Sequence, residues 1–270
     1  MMLSDETEFA RVCIYGRFGT GKTTDLAHGA HLGKVVHVDA EHRLKAGPLR
    51  RMGVPVENIE PMRDITFDAL SKMIWDVKGR IHDGDNIAVL GFDGFDEMIK
   101  IMVKAVLDRN VGKTIARAEK RGEVADVNPR QIDIDYWGEV TQEIRELLRH
   151  SRDLNCHLMF TSHERRDTDE DDGSVKYGPA STPAIQSDLM AYVDIIGHAY
   201  MDGDKFVARF ASGTKYEAKD TFGVLPAVMV NPTMDRIVAY VREELTPETD
   251  PQQVEYDAIR LRRMEQLKAN

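Results

Sequence analysis

A glycine-rich segment near the N-terminus limits most strongly what this chain can fold into. Residues 16–23 have the sequence Gly-Arg-Phe-Gly-Thr-Gly-Lys-Thr, which matches the pattern G-x-x-x-x-G-K-T and follows the apolar run Val12–Tyr15. Backbone N–H groups can wrap phosphates only where no Cβ blocks their approach, which favours glycine at Gly16, Gly19 and Gly21. A strand, a glycine turn and a helix in this order predict a nucleoside triphosphate site in an α/β fold.

Polar residues at the end of this segment predict the contacts to the nucleotide. Lys22 is expected to reach the β- and γ-phosphates, and the Thr23 hydroxyl is expected to hold Mg²⁺. The helix that we expect from Thr24 onward points its positive N-terminal end at the same anion. The predicted nucleotide contacts are Gly16, Gly19, Thr20, Gly21, Lys22, Thr23 and Thr24.

Composition excludes several classes of protein. The chain has 270 residues, 42% of them hydrophobic, and no apolar run near the roughly 20 residues that span a bilayer. Residues 1–6 are acidic rather than a targeting signal, and two cysteines are too few for a disulfide framework. We therefore expect a cytoplasmic protein with no membrane partner. A net charge of −10 argues against general coating of DNA, so any contact with nucleic acid must be local.

Short apolar runs alternate with longer helix-like segments, which predicts a mostly parallel sheet with helices on both faces. We expect antiparallel strands at the C-terminal side, and helices over 66–81 and 136–154, where apolar residues recur at helical spacing. The predicted strands are 11–15, 35–38, 87–92, 157–161, 193–201 and 205–210. The predicted domains are a short extension at 1–10, one core at 11–245, and a linker with a charged helix outside the core at 246–270.

The predicted strand 87–92 is followed directly by Asp93. A carboxylate at the carboxyl end of a buried strand beside the phosphate loop suits the Walker B position, which orients the water shell of Mg²⁺. Asp93 and Thr23 are therefore the predicted metal-site residues. The pair Asp96–Glu97 is the alternative, although Gly94 separates it from the apolar run.

Residues 39–42, Asp-Ala-Glu-His, directly follow the second predicted strand. Together with the phosphate loop, the strand ending in Asp93, Met-Gly-Val-Pro at 52–55 and Phe-Thr-Ser-His-Glu-Arg-Arg at 160–166, this segment resembles the RecA-type recombinase core. Within that superfamily the chain is most similar to short phage-encoded ATPases of single-strand annealing recombination. The resemblance implies a RecA-like P-loop NTPase that hydrolyses ATP with Mg²⁺ and forms homo-oligomers.

In this family a glutamate of the Asp-Ala-Glu-His segment polarises the water that attacks the γ-phosphate, and the resemblance assigns this role to Glu41. Phosphoryl transfer needs a carboxylate within reach of an in-line water. The alternative is that Glu41 is a surface charge paired with Arg43 or Lys45. The family's γ-phosphate sensor corresponds to His163, for which a capping or core role is the alternative. The predicted catalytic residues are Lys22, Glu41 and His163.

The segment 164–182, directly after His163, is the first candidate for contact with nucleic acid. Its length and its glycine, proline and serine content are typical of a mobile binding loop. Arg165 and Arg166 are its candidate phosphate contacts, although the acidic residues at 167–172 would repel phosphate.

The stretch 104–130 is the second candidate, because it carries an excess of basic residues in a strongly acidic chain. Arg117, Lys120 and Arg121 are spaced for one helix face, which favours a groove that binds a single strand. A helix with ordinary solvated charges is the alternative. In the same superfamily, basic residues of a neighbouring subunit complete the ATPase site, and the candidates for that role are Arg209, Lys215 and Lys219.

Three functions are compatible with these patterns. The first is an ATP-hydrolysing protein that binds single-stranded DNA and promotes homologous recombination by annealing or strand exchange, with a single-strand-binding protein as a further candidate partner. The second is a RecA-like motor or loader for phage replication or packaging. The third is a nucleotide-gated interaction module with little turnover, in which ATP orders the segment 164–182.

Overall fold

The computed structural model describes residues 8–125, 128, 134–168 and 173–269. The strands are β1 (Arg11–Gly16), β2 (Lys34–Asp39), β3 (Ile59–Met62), β4 (Ile87–Asp93), β5 (His157–Ser162), β6 (Glu164–Thr168), β7 (Val175–Pro179), β8 (Ile195–Asp202), β9 (Lys205–Arg209), β10 (Lys219–Asp220) and β11 (Val228–Val230). The helices are α1 (Lys22–Ala27), α2 (Ala46–Arg51), α3 (Phe67–His82), α4 (Phe95–Arg121), α5 (Ile134–Arg152), α6 (Pro183–Tyr192), α7 (Met234–Val241) and α8 (Pro251–Ala269). None of these helices has both the length and the apolar character that crossing a membrane requires.

The central sheet has the strand order β11-β9-β8-β1-β5-β4-β2-β3, and β10 pairs with β8. Strands β1, β2, β3, β4, β5 and β8 run parallel, whereas β9, β10 and β11 pair in antiparallel fashion. All the predicted strands are present with ends within two residues, so the prediction of a mostly parallel sheet with antiparallel C-terminal strands is confirmed. Parallel strands end at the same edge, and the loops after β1, β2, β4 and β5 therefore meet.

Helices cover both faces of this sheet. Successive side chains of a strand point to opposite faces, so Cys13 and Tyr15 of β1 belong to one apolar layer and Val12 and Ile14 to the other. The first layer contains the buried residues of α3, α4, α5 and α6, and the second contains those of α1, α2 and α7. The two helices predicted from apolar stripes are α3 and α5, and both stripes lie in the first layer.

Two strand features escaped the sequence prediction. Strand β3 contains Pro61, which has no N–H to donate to a ladder, and it lies at the edge of the sheet beside β2. The segment 164–182, predicted to be a mobile loop, instead contains an antiparallel hairpin of β6 and β7. Strand β6 is polar and only partly buried, so its sequence shows no apolar alternation. The acidic residues 169–172 lie outside the described residues.

The C-terminal helix α8 contacts the core more closely than the sequence predicted. Gln253 and Tyr256 in its first turns are buried, with exposed fractions of 0% and 3%. Tyr256 packs in a small apolar cluster with residues of β9 and β11, and its hydroxyl donates to Asp202 over 2.9 Å. Gln253 accepts from the Val230 N–H and donates to the Val228 carbonyl, at 3.2 and 2.9 Å. The first turns of α8 therefore close the antiparallel side of the sheet.

We expect Tyr256→Ala to lower the free energy of unfolding by roughly 2–4 kcal/mol, because it removes a buried ring and the hydrogen bond to Asp202. Met264→Ala, on the exposed part of the same helix, is the matched control and should change stability by less than about 0.5 kcal/mol. Urea unfolding of both variants measures the difference. Equal stability of the two variants would contradict the docking of α8 on the sheet.

Candidate nucleotide-binding site

The phosphate loop connects β1 to α1 at the carboxyl edge of the sheet. Gly19 and Gly21 have φ angles of 77° and 86°, in the left-handed region that favours glycine. Lys22 is the first residue of α1, and its ammonium group donates to the carbonyls of Gly16 and Arg17, both over 2.8 Å. The Thr20 hydroxyl donates to the Arg17 carbonyl over 2.9 Å, which closes the turn. The loop therefore has the left-handed glycines and the inward lysine that the motif predicted.

Gly16 is required for a reason that the sequence did not indicate. A Cβ at this position would lie 2.2 Å from the carbonyl oxygen of Ala199 in β8, closer than any real contact. Gly16 therefore permits the close approach of β1 and β8 where the loop leaves the sheet. A Cβ at Gly21 would lie 3.2 Å from the ring of Phe206, in addition to the strain of its positive φ.

Asp93, at the end of β4, is buried beside the loop with an exposed fraction of 5%. One carboxylate oxygen accepts from the Thr161 hydroxyl, and the other lies 3.4 Å from Nε2 of His37. Burial alone would raise the pKa of Asp93, but hydrogen bonds from His37, Thr161 and Thr23 outweigh it and hold this pKa below its usual value. Asp93 is thus an ionised carboxylate in contact with Thr23, which are the two groups that the sequence assigned to Mg²⁺.

The alternative carboxylates, Asp96 and Glu97, lie in the first turn of α4 rather than at a strand end. Glu97 contacts Lys100 on the helix surface over 2.9 Å. Asp96 is 6% exposed, accepts from the backbone N–H of His163 over 3.0 Å, and contacts Nδ1 of the same histidine over 3.1 Å. Asp96 therefore positions His163 instead of taking the Walker B position.

Glu41 follows β2 and faces the phosphate loop. Its side chain is 17% exposed, with one oxygen 3.5 Å from Nδ1 of His163 and the other 3.1 Å from Nε of Arg43. This geometry is compatible with both interpretations of Glu41, as an ion-pair partner and as a catalytic residue. Glu41 pairs with Arg43, and it lies mostly buried in the nucleotide site. A Cβ at Gly94 would lie 2.9 Å from the Glu41 side chain, so glycine there leaves room for this carboxylate.

The neighbouring acid, Asp39, stabilises the backbone rather than facing the cavity. It is fully buried, accepts from the backbone N–H of Arg43 over 2.8 Å, and contacts Nε of Arg63 over 3.2 Å. These bonds stabilise the turn after β2, in which His42 has a φ of 54°. Asp39 therefore holds the turn that presents Glu41.

The electrostatics around Lys22 suit a polyanion. Burial lowers the pKa of its ammonium group, and the nearby carboxylates of Asp93, Glu41 and Asp96 oppose that shift. A cavity of about 150 Å³ is enclosed by the loop, Glu41, Asp93, Thr161 and His163. The side chains present match the donors that a nucleotide with Mg²⁺ requires: a lysine, a threonine hydroxyl and an ionised aspartate. In a complex with such a nucleotide, residues 16–24 would hold the phosphates, and Thr23 and Asp93 would hold the ion.

Sequence analysis missed two residues of this site, His37 and Thr161. His37 is a polar residue between buried valines of β2, and Thr161 is a polar residue near the end of buried β5. A polar side chain within such a strand requires a partner, because burying it unpaired is costly. That rule marks both as candidates, but it does not identify Asp93 as the partner they share.

The basic face of α4 lies far from this site. Helix α4 is 27 residues long, which is about 40 Å, so Arg117 lies roughly 35 Å from the nucleotide end of the helix. Arg117, Lys120 and Arg121 are exposed on one face, and no ion pair holds them among the described residues. Lys104 and Arg109 are instead paired, Lys104 with Asp108 and Arg109 with Glu139 and Glu143. The basic residues of α4 without an ion pair among the described residues therefore lie in its second half, and they include Lys113.

The two arginines of the hairpin differ in their surroundings. Arg165 donates to the Ser181 carbonyl and contacts Asp167 over 2.8 Å, so its guanidinium is engaged within the chain. Arg166 is exposed and pairs in register with Tyr177 of β7. It borders a cavity of about 800 Å³ that also contains Arg17, Phe18, Arg209 and Tyr216. Arg166 is therefore the better candidate of the two for contact with a ligand.

The three basic residues proposed to act across a subunit interface have different surroundings. Arg209 borders the 800 Å³ cavity beside Tyr216, and its buried Nε has no hydrogen-bond partner among the described residues. The Lys215 ammonium lies 5.6 Å from the ring of Tyr216. Lys219 donates to the carbonyl of Val193 over 2.7 Å, which uses its charge inside its own chain. This engagement leaves Arg209 and Lys215 as the candidates.

Fold and site together define a P-loop NTPase: a mostly parallel α/β sheet with the glycine loop at its carboxyl edge and a buried aspartate at the end of β4, which β5 separates from β1. A match to the AAA domain covers residues 8–222, and the chain belongs to that family. The family supports nucleotide binding and ATPase activity. A comparison with curated proteins gave no match. The RecA-type relationship and the phage source therefore stay predictions.

Gly16→Ala tests the contact between β1 and β8. The added methyl would meet the Ala199 carbonyl at 2.2 Å, so we expect a loss of stability of about 3 kcal/mol or more together with weakened nucleotide binding. Gly79→Ala, in the open middle of α3, is the matched control and should stabilise the protein by about 0.5–1 kcal/mol. Thermal unfolding and binding of a fluorescent ATP analogue measure both effects. Wild-type stability and affinity in Gly16→Ala would refute this assignment.

Proposed function

We propose that this protein is a Mg²⁺-dependent, RecA-like ATPase that binds single-stranded DNA and promotes homologous recombination by annealing or strand exchange. The observation that carries the proposal is the position of His163. Its side chain contacts Asp96 and lies 3.5 Å from Glu41, and the next residue begins the β6–β7 hairpin. A residue so placed can transmit the occupancy of the nucleotide site to the hairpin.

Glu41 supports the hydrolytic part of the proposal. Its carboxylate faces the same cavity as Lys22 and Asp93, and it is oriented from two sides, by Arg43 and by His163. A positioned carboxylate can accept a proton from water that attacks a phosphoryl group, while Lys22 stabilises the charge that develops on the phosphate oxygens. Mg²⁺, when bound, neutralises charge on the β- and γ-phosphates. These roles are the ones that the resemblance to RecA-type proteins implies.

A second contact joins the phosphate loop to the hairpin. Arg17 of the loop lies 3.6 Å from Glu164, the first residue of β6, and Glu164 also contacts His198 of β8 over 3.0 Å. At the same base of the hairpin, where Glu164 pairs with Pro179, the backbone N–H of Ala180 donates to the His163 carbonyl over 2.8 Å. Movement of the phosphate loop would therefore reach the base of the hairpin through Arg17 and Glu164. This coupling favours an ATPase in which the bound nucleotide controls the β6–β7 hairpin. It argues against an enzyme that only hydrolyses nucleotide.

The surface beside the hairpin has the chemistry that binds single strands. Tyr177, His198 and Tyr216 stack on one another, with ring centroids 5.3 Å apart for the two tyrosines and 4.2 Å apart for His198 and Tyr216. Exposed Arg166 and Arg17 lie at the same cavity. Aromatic rings bordered by cations are typical of sites for unstacked bases and their phosphates. In an acidic chain, this local arrangement supports contact with single-stranded DNA.

Exposed apolar side chains support the expected homo-oligomer. Phe18 of the phosphate loop is 78% exposed, and Met201 and Phe206 of the neighbouring hairpin β8–β9 are 41% and 38% exposed. Large apolar side chains exposed together favour a protein–protein contact. A second copy of the chain bound to these apolar side chains would lie close to Arg209 and Lys215.

The strand arrangement supports the RecA-like assignment. The antiparallel strands β9, β10 and β11 flank the parallel sheet at its C-terminal side, as the pattern of apolar runs predicted, and the RecA-like assignment is compatible with that arrangement. RecA-like motors and loaders would have the same core. They would differ from a recombination protein because they require movement along DNA or stimulation by a partner.

Glu41→Gln is expected to keep ATP affinity within about threefold of wild type and to lower kcat by about 100-fold or more, because the amide cannot accept a proton from water. Glu97→Gln, which removes a carboxylate from the exposed side of the α4 N-terminus, should leave kcat unchanged. Steady-state ATPase assays with and without single-stranded DNA measure both variants. Undiminished hydrolysis in Glu41→Gln would remove Glu41 from the mechanism.

Arg166→Ala is expected to weaken binding of single-stranded DNA by about tenfold and to abolish stimulation of the ATPase by DNA, because it removes the exposed cation beside the stacked tyrosines. Arg50→Ala, which deletes an exposed arginine of α2, is the charge-matched control and should bind DNA as wild type does. Fluorescence anisotropy with a labelled oligonucleotide, repeated over a series of salt concentrations, measures the affinity and its salt dependence.

The triple variant Arg117→Ala, Lys120→Ala, Arg121→Ala separates the two candidate surfaces. Weaker binding with a flatter salt dependence would extend the DNA path to the distal end of α4, whereas wild-type behaviour would restrict it to the hairpin. ATP binding without any stimulation by DNA, and without DNA binding, would overturn the recombination proposal and favour the nucleotide-gated interaction module.

A further inference from the structure

A second cluster of ligand atoms, separate from Glu41 and His163, lies at the end of α1. His28 and His31 are the ends of the short 3-10 turn that follows α1, and Asp235 lies in the first turn of α7. All three border a cavity of about 410 Å³, which also reaches Gly21 and Thr24 of the phosphate loop. The turn after α1 and the start of α7 are packed together in the second apolar layer, so the cluster joins two elements that are distant in sequence.

The geometry of the three side chains suits one small cation. One ligand atom from each residue lies within 4.8 Å of those from the other two, and Nδ1 of His28 lies 4.0 Å from Oδ1 of Asp235. The imidazole rings of His28 and His31 have centroids 5.3 Å apart. His31 is exposed, so its ring can adjust and an ion has a path from solvent.

Two buried carboxylate oxygens at this cavity have no hydrogen-bond partner among the described residues. One is Oδ1 of Asp235, and the other is Oδ2 of Asp25, a residue of α1 that is only 3% exposed. A buried carboxylate oxygen without a donor is costly. Arg236, the nearest guanidinium on α7, is engaged by the carbonyls of Val230 and Asn231 and by Asp250. The unpaired Asp235 oxygen is therefore an acceptor at this cavity that a cation would satisfy.

We propose that His28, His31 and Asp235 bind a divalent transition-metal ion of the zinc type. Two imidazoles and one carboxylate form a common zinc ligand set, with a further position open to water. Mg²⁺ prefers oxygen ligands, so this site differs in chemistry from the pair Thr23 and Asp93.

An ion at this cluster would have a structural consequence for the nucleotide site. Helix α1 carries Lys22 at its start and leads directly into the turn of His28 and His31, so the ion would fasten the end of the phosphate-loop helix to α7. Binding to the folded state alone stabilises that state in proportion to the logarithm of the ion concentration. We therefore expect the metal to raise the melting temperature and to order the cavity beside Thr24.

The cluster of Glu41, Asp96 and His163 is the main competitor for added metal, because its ligand atoms are also close together. It belongs to the nucleotide site. A test must therefore distinguish the two clusters rather than count bound ions alone.

The experiment uses the full chain stripped of metal and titrated with Co²⁺, whose visible absorption reports tetrahedral or five-coordinate nitrogen and oxygen ligands, followed by displacement with Zn²⁺. We expect one tight ion per chain in wild type. His31→Ala, at an exposed position, and Asp235→Asn should each weaken binding by at least about tenfold. His82→Ala is the matched control, because His82 is an exposed histidine beside a single carboxylate, Asp83, at 3.3 Å.

Thermal unfolding gives a second readout that does not depend on activity. Zn²⁺ should raise the melting temperature of wild type and of His82→Ala, but not that of His31→Ala. No saturable binding in wild type would overturn the proposal, as would unchanged affinity in both His31→Ala and Asp235→Asn. Loss of binding in His163→Ala alone would assign the ion to the nucleotide site and would overturn the proposal equally.

Discussion

The buried carboxylate of Asp93 joins the parts of this protein on which its chemistry depends. It ends β4 and is held by Thr161 of β5 and His37 of β2, and Thr23 of α1 donates to it as well. Ionising a group in this position is costly unless donors surround it, and here they keep its pKa low. Three strands and the phosphate-loop helix therefore meet at one carboxylate. Two of these strands, β2 and β5, end directly before the turns that present Glu41 and His163.

A consequence of this arrangement is that the nucleotide site directly adjoins the β6–β7 hairpin. His163 ends the turn after β5, contacts Asp96 of α4, and immediately precedes the hairpin of β6 and β7. Arg17 connects the phosphate loop to the same hairpin through Glu164. Since cores and interfaces shift between discrete arrangements rather than deform continuously, contacts of this kind are where a bound nucleotide can change the state of a distant surface.

The positive charge that this acidic chain presents to solvent depends on ion pairing as well as on composition. The excess of basic residues over 104–130 is reduced in the fold because Lys104 and Arg109 are neutralised by neighbouring acids, whereas Lys113, Arg117, Lys120 and Arg121 have no ion pair among the described residues. Counting charges along the sequence identified a basic stretch of the chain. It could not separate the paired cations from the free ones, because pairs such as Arg109 with Glu139 join residues on different helices.

The sequence by itself determined the phosphate loop, the mostly parallel sheet, and Asp93 as the strand-end carboxylate, since these depend on local spacing and apolar periodicity. Only the tertiary structure decided why Gly16 cannot carry a side chain, that Asp96 positions His163, and that segment 164–182 forms a hairpin. It also decided that His28, His31 and Asp235 meet. Each of these depends on atoms brought together from distant parts of the chain, and periodicity carries no information about such contacts.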